Sequence, residues 1–195
     1  MARLWVCGMK TSTRGGHDRE HHGVAGRDRR LAGVPALHRD DRVATVAGWA
    51  MRSASAADVE AVAELRAVVL RADLERLGRY DEQRVRQRVR AAFAPAHTWV
   101  IEVDGTFAGC VSLRPAEEAH WLEHFYLAPH LQGGGIGASV LRALLEQSDR
   151  DGVRVRLNVL QGSPARRLYE RHGFALESED RVDVFMVREP ASPGA

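Results

Sequence analysis

The chain has 195 residues, and 45% of them are hydrophobic. This composition is sufficient for one packed core, and the length is too short for two ordinary domains. Its two cysteines, Cys7 and Cys110, lie far apart with no paired spacing, which argues against a disulfide scaffold or a zinc site and fits a reducing, cytoplasmic location. No apolar run is long enough for a secretory signal or a membrane span, so we expect no membrane association.

The front of the chain has neither helical nor alternating apolar periodicity. Residues 1–44 carry nine Lys or Arg and five Asp or Glu, a net charge of +4, so the rest of the +2 chain carries −2. We interpret residues 1–45 as a disordered or artefactual basic leader, since so polar a segment cannot bury enough apolar surface to offset its ordering entropy. Three of its four histidines (His17, His21 and His22) lie close together, but they lack a cysteine partner or a folded frame, so we predict no metal.

Two alternatives for the leader stay open. A basic arm that binds nucleic acid is one, although the interspersed acids disfavour it, and we expect no nucleic-acid partner. The other is a natural start at Met51, which lies just before the first organised segment.

From residue 46 onward the sequence predicts a regular succession of strands and helices. In chain order they are a strand over 46–52, a helix from Val59, a helix over 81–93, a hairpin over 98–113, a strand over 120–127, a helix from Ile136, a strand over 153–160, a short helix over 163–173, and strands over 173–177 and 181–187. This order indicates an α/β (α+β) fold with a mixed sheet and helices on it. The domain is predicted to span 46–189, and 190–195 to be a tail.

The helix boundaries have sequence signals of their own. Ser55 and Asp58 have the spacing of a capping box, and Asp81 is the predicted N-cap of the second helix. Ser163 is the predicted N-cap of the short helix, and Gly173 its exit.

Four glycines within residues 133–137 stand between a strand and a helix start, an arrangement that binds anions through free backbone N–H groups and the helix dipole. A Walker loop is excluded because Ala138 and Ser139 follow the last glycine where Lys and Ser or Thr are needed. The dinucleotide fingerprint fits Gly133, Gly135 and Ala138, but the next strand ends without the acid that would hold a ribose.

The segment Gln132-Gly133-Gly134-Gly135-Ile136-Gly137 fits a third form, Gln/Arg-x-x-Gly-x-Gly/Ala, and at this point the chain resembles the GNAT superfamily of acetyl-CoA-dependent N-acetyltransferases. The later segment "SPARRLYERHGF" is similar to the family's closing motif. In element order the resemblance covers residues 51–189, with its specific motifs at 121–137 and 159–174. It implies a mixed, mostly antiparallel sheet of six to seven strands flanked by about four helices and splayed at the cofactor cleft.

The resemblance also implies which residues bind acetyl-CoA as a cosubstrate. Backbone groups of the glycine loop would hold the pyrophosphate, and the backbone of the strand before it would pair with the pantetheine arm like an added strand. Ser163 stands where the family often has Asn, and it would reach a cofactor amide. The cofactor-binding residues are therefore predicted to be Phe125, Tyr126, Leu127, Gln132, Gly133, Gly134, Gly135, Ile136, Gly137, Ala138 and Ser163.

Acetyl transfer to an amine requires a proton acceptor, stabilisation of an oxyanion and tolerance of a departing thiolate. Tyr169 matches the family's frequent proton donor to that thiolate, and an N–H near Leu127 suits the oxyanion. Glu123 is the predicted base, directly or through water, because strand alternation would place it on the face of Leu127, with His124 facing away.

Three residues in and just after the loop before this strand are further candidates for contact with the acceptor. They are Glu117, Glu118 and His120.

The sequence thus predicts an N-acetyltransferase that moves an acetyl group from acetyl-CoA to a primary amine of a small molecule, peptide or protein, by direct attack in a ternary complex. The alternative is a non-catalytic acyl-CoA-binding or regulatory module on the same fold. The predicted partners are acetyl-CoA and an amine acceptor, and the predicted state is a monomer or homodimer.

Overall fold

The computed structural model describes residues 42–46 and 48–191. Most of the predicted leader lies outside the described residues, as do its four histidines and the last four residues of the predicted tail.

Within the described residues the chain forms eight strands and four α-helices. In chain order they are β1 (Arg42–Val46), β2 (Trp49–Ser53), α1 (Val59–Arg76), α2 (Glu82–Ala92), β3 (Thr98–Val103), β4 (Thr106–Pro115), β5 (His120–Leu127), α3 (Ile136–Arg150), β6 (Val155–Leu160), α4 (Arg166–Arg171), β7 (Ala175–Glu179) and β8 (Asp183–Arg188). The predicted elements are all present in the predicted order. β1 is an additional edge strand, and the predicted boundary between leader and domain falls within it.

All eight strands belong to one sheet, in the order β1-β2-β3-β4-β5-β6-β8-β7. Neighbouring strands are antiparallel except β5 and β6, which are parallel. That pair is joined only at His120 with Val155 and at Trp121 with Arg156. Beyond these residues β5 and β6 separate, so the mixed sheet with a splayed cleft is confirmed.

The face of the sheet that α3 covers is identified by an ion pair. Arg188 of β8 pairs with Val155 of β6, and its side chain reaches Asp149 near the end of α3. Val155 therefore lies on this side, which we call the α3 face. Because side chains alternate along a strand, Arg156 and Asn158 lie on the opposite side.

Helix α1 covers that opposite side, which we call the α1 face. The guanidinium carbon of Arg66 lies 5.7 Å from the centre of the Tyr126 ring on β5. The β4 partners of Tyr126 and Glu123 are two residues apart, so Tyr126 and Glu123 share a face. Glu123 follows two residues after Trp121, the partner of Arg156, so this is the face away from α3.

The predicted helix boundaries are confirmed for Asp81 and Gly173 and wrong for Ser163. The Asp81 side chain accepts a hydrogen bond from the Arg84 N–H at 2.8 Å. Gly173 follows α4 with a φ of 85°, and the Gly173 N–H donates to the carbonyl of Glu170. Helix α4 begins only at Arg166, because the residues after Ser163 form a turn first.

Strand β7 is an edge of the sheet, and all five of its residues are exposed. Its pairing with β8 shifts register between Leu176 and Ser178. Glu177, at the shift, forms an ion pair of 2.7 Å with Arg156 of β6.

The ion pair between Arg188 and Asp149 gives a pH-dependent prediction for stability. Arg188 donates to both carboxylate oxygens at 2.7 and 2.8 Å, and these bonds lower the pKa of Asp149 below its ordinary value of 3.8. A carboxylate whose pKa is lowered by folding stabilises the protein above its unfolded-state pKa, and this stabilisation is lost as the pH falls through the folded-state pKa. We expect Asp149→Asn to lower the free energy of unfolding at pH 7 by about 1 kcal/mol.

Urea unfolding at pH 7 and at stepwise lower pH measures this effect, with the exposed Glu118→Gln as the control. The difference between wild type and Asp149→Asn should shrink as the pH falls below 3.8. A difference that stays constant down to pH 2.5 (about 1.3 units below that value) would contradict the ionic contribution.

Candidate active site

The loop before α3 presents backbone N–H groups that donate no hydrogen bond to any other described residue. The first helical bond runs from the Ser139 N–H to the Gly135 carbonyl at 3.0 Å. The N–H groups from Gly133 to Ala138 make no hydrogen bond within the described residues. A helix start with free N–H groups attracts anions, so this loop has the chemistry of a phosphate site.

Two glycines of the loop have backbone angles that favour glycine. Gly133 has a φ of 87°, and Gly135, the N-cap residue of α3, has a φ of 89°. A Cβ atom at either position would meet no atom within 4 Å. The space above the backbone is therefore open, and a side chain there would fill it. Both features fit a backbone cradle for a phosphate group.

Gln132 connects this loop to the end of β5. Its side-chain amide donates to the Leu127 carbonyl at 2.7 Å. The Ala128 N–H donates to Ala108 of β4, so by alternation the Leu127 N–H and carbonyl point to the opposite edge, toward the splay. The open edge of β5 and the loop thus line one continuous cleft.

A β-bulge in β5 overturns part of the predicted arrangement. His124 has a φ of 50°, and between the Glu123 and Tyr126 pairings β5 has one residue more than β4. The extra residue reverses the alternation, so Glu123 and Leu127 lie on opposite faces. The prediction that they share a face was wrong.

The position of the bulge depends on a close approach between β4 and β5. An added Cβ at Gly109 would lie 2.3 Å from the Tyr126 carbonyl oxygen, so only glycine fits there. The adjacent Cys110 thiol donates to the His124 carbonyl at 3.1 Å and is fully buried. Burial raises the pKa of Cys110 to about 12, which keeps it a neutral thiol.

His124 is placed beside Tyr126 by the bulge. The His124 Nδ1 lies 3.3 Å from the Tyr126 hydroxyl, so the prediction that its ring faces away from Glu123 was also wrong. Burial lowers the pKa of His124 to about 3, with further lowering from Arg66 and Arg114, so the imidazole is neutral. Arg66, only 2% exposed, also donates to the Tyr126 hydroxyl.

Glu123 is buried and ion-paired. Arg114 Nη2 lies 3.1 Å from Glu123 Oε1, and Arg114 Nε donates to Oε2 at 3.3 Å. The carboxylate is only 8% exposed and sits on the strand that borders the splay. It is thus held in one orientation on the α1 face.

The hydroxyl of Tyr169 on α4 is available to form a hydrogen bond with a bound molecule. The residue is fully buried, and its hydroxyl makes no hydrogen bond within the described residues. Its ring packs edge-on against Phe174, with the centroids 5.6 Å apart. Burial raises the pKa of Tyr169 well above its ordinary value of 10, with a smaller contribution from Tyr126, so the phenol stays protonated at neutral pH.

Ser163 is buried in the loop between β6 and α4. Its hydroxyl accepts weakly from the Ala165 N–H at 3.4 Å. Glu117, Glu118 and His120 lie elsewhere: they line a small pocket of about 250 Å³ at the start of β5, where β5 and β6 are paired. The structure therefore does not bring these three residues to the splayed end.

The buried arginine of α1 was missed by the sequence analysis. Arg66 lies four residues after Val62 and three before Val69, within the apolar stripe that the helical period defines. A charged residue inside an apolar stripe is the sequence signal by which Arg66 could have been identified as a buried arginine.

Two kinds of feature are absent from residues 42–46 and 48–191. No helix there is long and apolar enough to cross a membrane. No group of three His, Cys, Asp or Glu side chains there is arranged to hold a metal ion.

Comparisons with known proteins were made for sequence and for structure. The family model described as acetyltransferase (GNAT) family matches residues 59–174. No curated protein matches in sequence.

Several solved structures share the fold. The PaiA N-acetyltransferase of Thermoplasma acidophilum, in complex with coenzyme A, has a TM-score of 0.60 at 20% identity over 72% of this chain and 98% of its own. The ribosomal-protein-S18-alanine N-acetyltransferase of Escherichia coli has a TM-score of 0.57 at 17% identity, over 75% of this chain and 96% of its own. RimL, a ribosomal L7/L12 alpha-N-protein acetyltransferase in complex with coenzyme A, has a TM-score of 0.55 at 19% identity, over 76% of this chain and 98% of its own.

Proposed function

Because the chain belongs to the acetyltransferase (GNAT) family and is an N-acetyltransferase, we propose that it transfers the acetyl group of acetyl-CoA to a primary amine by direct attack in a ternary complex. The observation that carries this proposal is the row of unpaired N–H groups from Gly133 to Ala138 at the start of α3. These groups, with Gln132 and Ile136 in the same segment, would hold the pyrophosphate.

The remaining cofactor contacts follow from the cleft. The backbone of Phe125, Tyr126 and Leu127 would pair with the pantetheine arm along the open edge of β5. The Ser163 hydroxyl, in the loop after β6, would reach an amide of that arm. Acetyl-CoA supplies the activated acetyl group as a thioester.

Three groups of the chain would carry the reaction. Glu123 accepts a proton from the amine, directly or through a water molecule, as the amine nitrogen bonds to the carbonyl carbon. The Leu127 N–H, directed toward the splay, stabilises the negative charge that develops on the carbonyl oxygen. Tyr169 gives its proton to the sulfur as the carbon–sulfur bond breaks, so that coenzyme A leaves as a thiol.

The acid role of Tyr169 has the strongest support of the three. A buried hydroxyl without a partner is unfavourable, and a departing sulfur would complete its hydrogen bonding. His124 is a poorer proton donor, because its lowered pKa leaves it neutral and its Nδ1 already contacts Tyr126.

The acceptor belongs to the class of primary amines, on a small molecule, a peptide or a protein. Protein amines stay in the proposal because two structural neighbours named for the acetylation of ribosomal proteins share this fold. We also propose a cytoplasmic location, which the free thiol of Cys110 fits.

Incubation of the protein with acetyl-CoA and a panel of amines, with detection of free thiol, tests this function. We expect thiol release that depends on both acetyl-CoA and at least one amine. Binding of acetyl-CoA without thiol release for any amine would favour the non-catalytic acyl-CoA-binding module. Absence of acetyl-CoA binding would contradict the assignment of the glycine loop.

A further inference from the structure

Two buried oxygen atoms outside the groups assigned above have no hydrogen-bond partner within the described residues. They are Asp73 Oδ2 on α1 and Asn158 Oδ1 on β6. Asp73 is 7% exposed and Asn158 is 3% exposed. A buried oxygen without a donor is unfavourable, so an external donor that reaches it is bound favourably.

The orientation of the Asn158 amide is set by Asp183. The Asn158 Nδ2 donates to Asp183 Oδ1 at 2.9 Å. The carboxylate oxygen of Asp183 accepts this hydrogen bond, so the amide presents its nitrogen to Asp183. The Asn158 Oδ1 is therefore directed away from Asp183 as an acceptor.

Asn158 stands at the edge of the splay and on the α1 face. Trp121 and Arg156 form the last pair between β5 and β6, and Glu123 and Asn158 each follow two residues later on the same face. Asn158 and the proposed proton acceptor therefore lie on the two strands that border the opening.

Asp73 approaches the same region from α1. Its Oδ1 accepts from Arg76 Nη2 at 3.1 Å, which leaves Oδ2 without a donor. The same Arg76 Nη2 donates to the Gln161 carbonyl at 2.5 Å, so α1 touches the chain just beyond β6. Asp73 and Asn158 each lie three residues from this contact, Asp73 on α1 and Asn158 on β6.

We propose that Asp73 Oδ2 and Asn158 Oδ1 bind the protonated amino group of the acceptor, which enters from the α1 face. An ammonium group has three N–H donors, and this face offers the Asp73 carboxylate, the Asn158 amide oxygen and the Glu123 carboxylate. Glu123 takes one proton and passes it to solvent, which leaves the nitrogen lone pair free for attack while two donors stay bound. As the nitrogen bonds to the carbonyl carbon, Glu123 accepts the second proton that the amide product has to lose. This inference rests on the proposed function and specifies its acceptor as a cationic primary amine.

An NMR titration of the full chain, saturated with coenzyme A, with n-butylamine at pH 7 tests the site. We expect the side-chain amide signal of Asn158 to shift with n-butylamine and to stay in place with n-butanol, which has the same chain length and no charge. This comparison needs no variant, so it holds even if a substitution prevents folding. Equal shifts with both probes, or no shift with either, would overturn the proposal.

Two variants extend the test. Asp73→Asn removes the charge and Asn158→Leu removes the acceptor oxygen with little change of volume, and each should weaken n-butylamine binding at least tenfold while acetyl-CoA affinity stays within twofold. Ser148→Ala, which removes a buried hydroxyl of α3 on the other face, is the matched control and should leave both affinities unchanged.

The outcomes separate the two proposals. Unchanged n-butylamine affinity in both variants would contradict the proposed acceptor site and would leave the assignment of the enzyme unaffected. Loss of acetyl-CoA binding by the wild type would instead contradict the proposed function.

Discussion

Tyr169→Phe is expected to lower kcat about a hundredfold or more with little change in acetyl-CoA affinity, the usual scale for loss of a general acid. That factor corresponds to about 2.7 kcal/mol in the barrier. The substitution keeps the ring and its edge-on contact with Phe174, and it removes only the hydroxyl. Steady-state rates and a calorimetric titration on the two proteins measure both quantities.

The stability of this variant provides an independent readout. Because the Tyr169 hydroxyl is buried without a partner, its removal should leave the free energy of unfolding unchanged or raise it by about 1 kcal/mol. Tyr126→Phe is the matched comparison: its hydroxyl accepts from the buried Arg66, so that loss should destabilise the protein by about 1–3 kcal/mol. Equal kcat for wild type and Tyr169→Phe would show that Tyr169 is a core residue only.

Gly135→Val is expected to weaken acetyl-CoA binding at least tenfold, about 1.4 kcal/mol. Two physical effects act together. A branched side chain is strained at a φ of 89°, and its methyl groups would occupy the open space above the N–H groups that face the pyrophosphate. Titration calorimetry with acetyl-CoA measures the affinity.

The control for Gly135→Val separates backbone strain from loss of the cradle. Gly152, after α3, also has a left-handed φ, of 66°, and a Cβ there would also meet no atom within 4 Å. Gly152→Val should therefore lose similar stability and keep its acetyl-CoA affinity. If both variants bind acetyl-CoA as tightly as the wild type, the glycine loop does not hold the pyrophosphate.

Signals that are local in sequence predicted most of the fold. Asp81 begins a helix and Gly173 ends one through contacts with residues at most four positions away, so their neighbours in sequence are sufficient. The glycine loop could be located for the same reason, because its backbone geometry depends on its own residues. The start of α4 was misjudged within the same local range, since a turn precedes the helix.

The bulge in β5 could not be predicted from alternation. It depends on Gly109, fifteen residues before His124 along the chain, whose missing side chain lets the Tyr126 carbonyl approach. One extra residue then reverses every later side chain of the strand, which is why the assignment of Glu123 and Leu127 to the same face was wrong. Strand periodicity alone contains no information about such a contact between strands.

The polar residues of α1 were overlooked for a different reason. Arg66 and Asp73 lie seven residues apart, which is close to two turns, so they share the face of the apolar stripe, whose other positions still define the helix. The pattern that identified the helix therefore did not depend on them. Their burial is visible only once the sheet is placed beneath the helix.

The exposed strand β7 has a consequence for self-association. An unpaired strand edge is a template on which another chain can add a strand, and cross-β aggregation starts in this way. β7 is only five residues long, and its register shift interrupts a flat hydrogen-bonding edge. A second molecule would find only a short and irregular row of backbone N–H and C=O groups there, so this edge disfavours growth of the sheet into fibres.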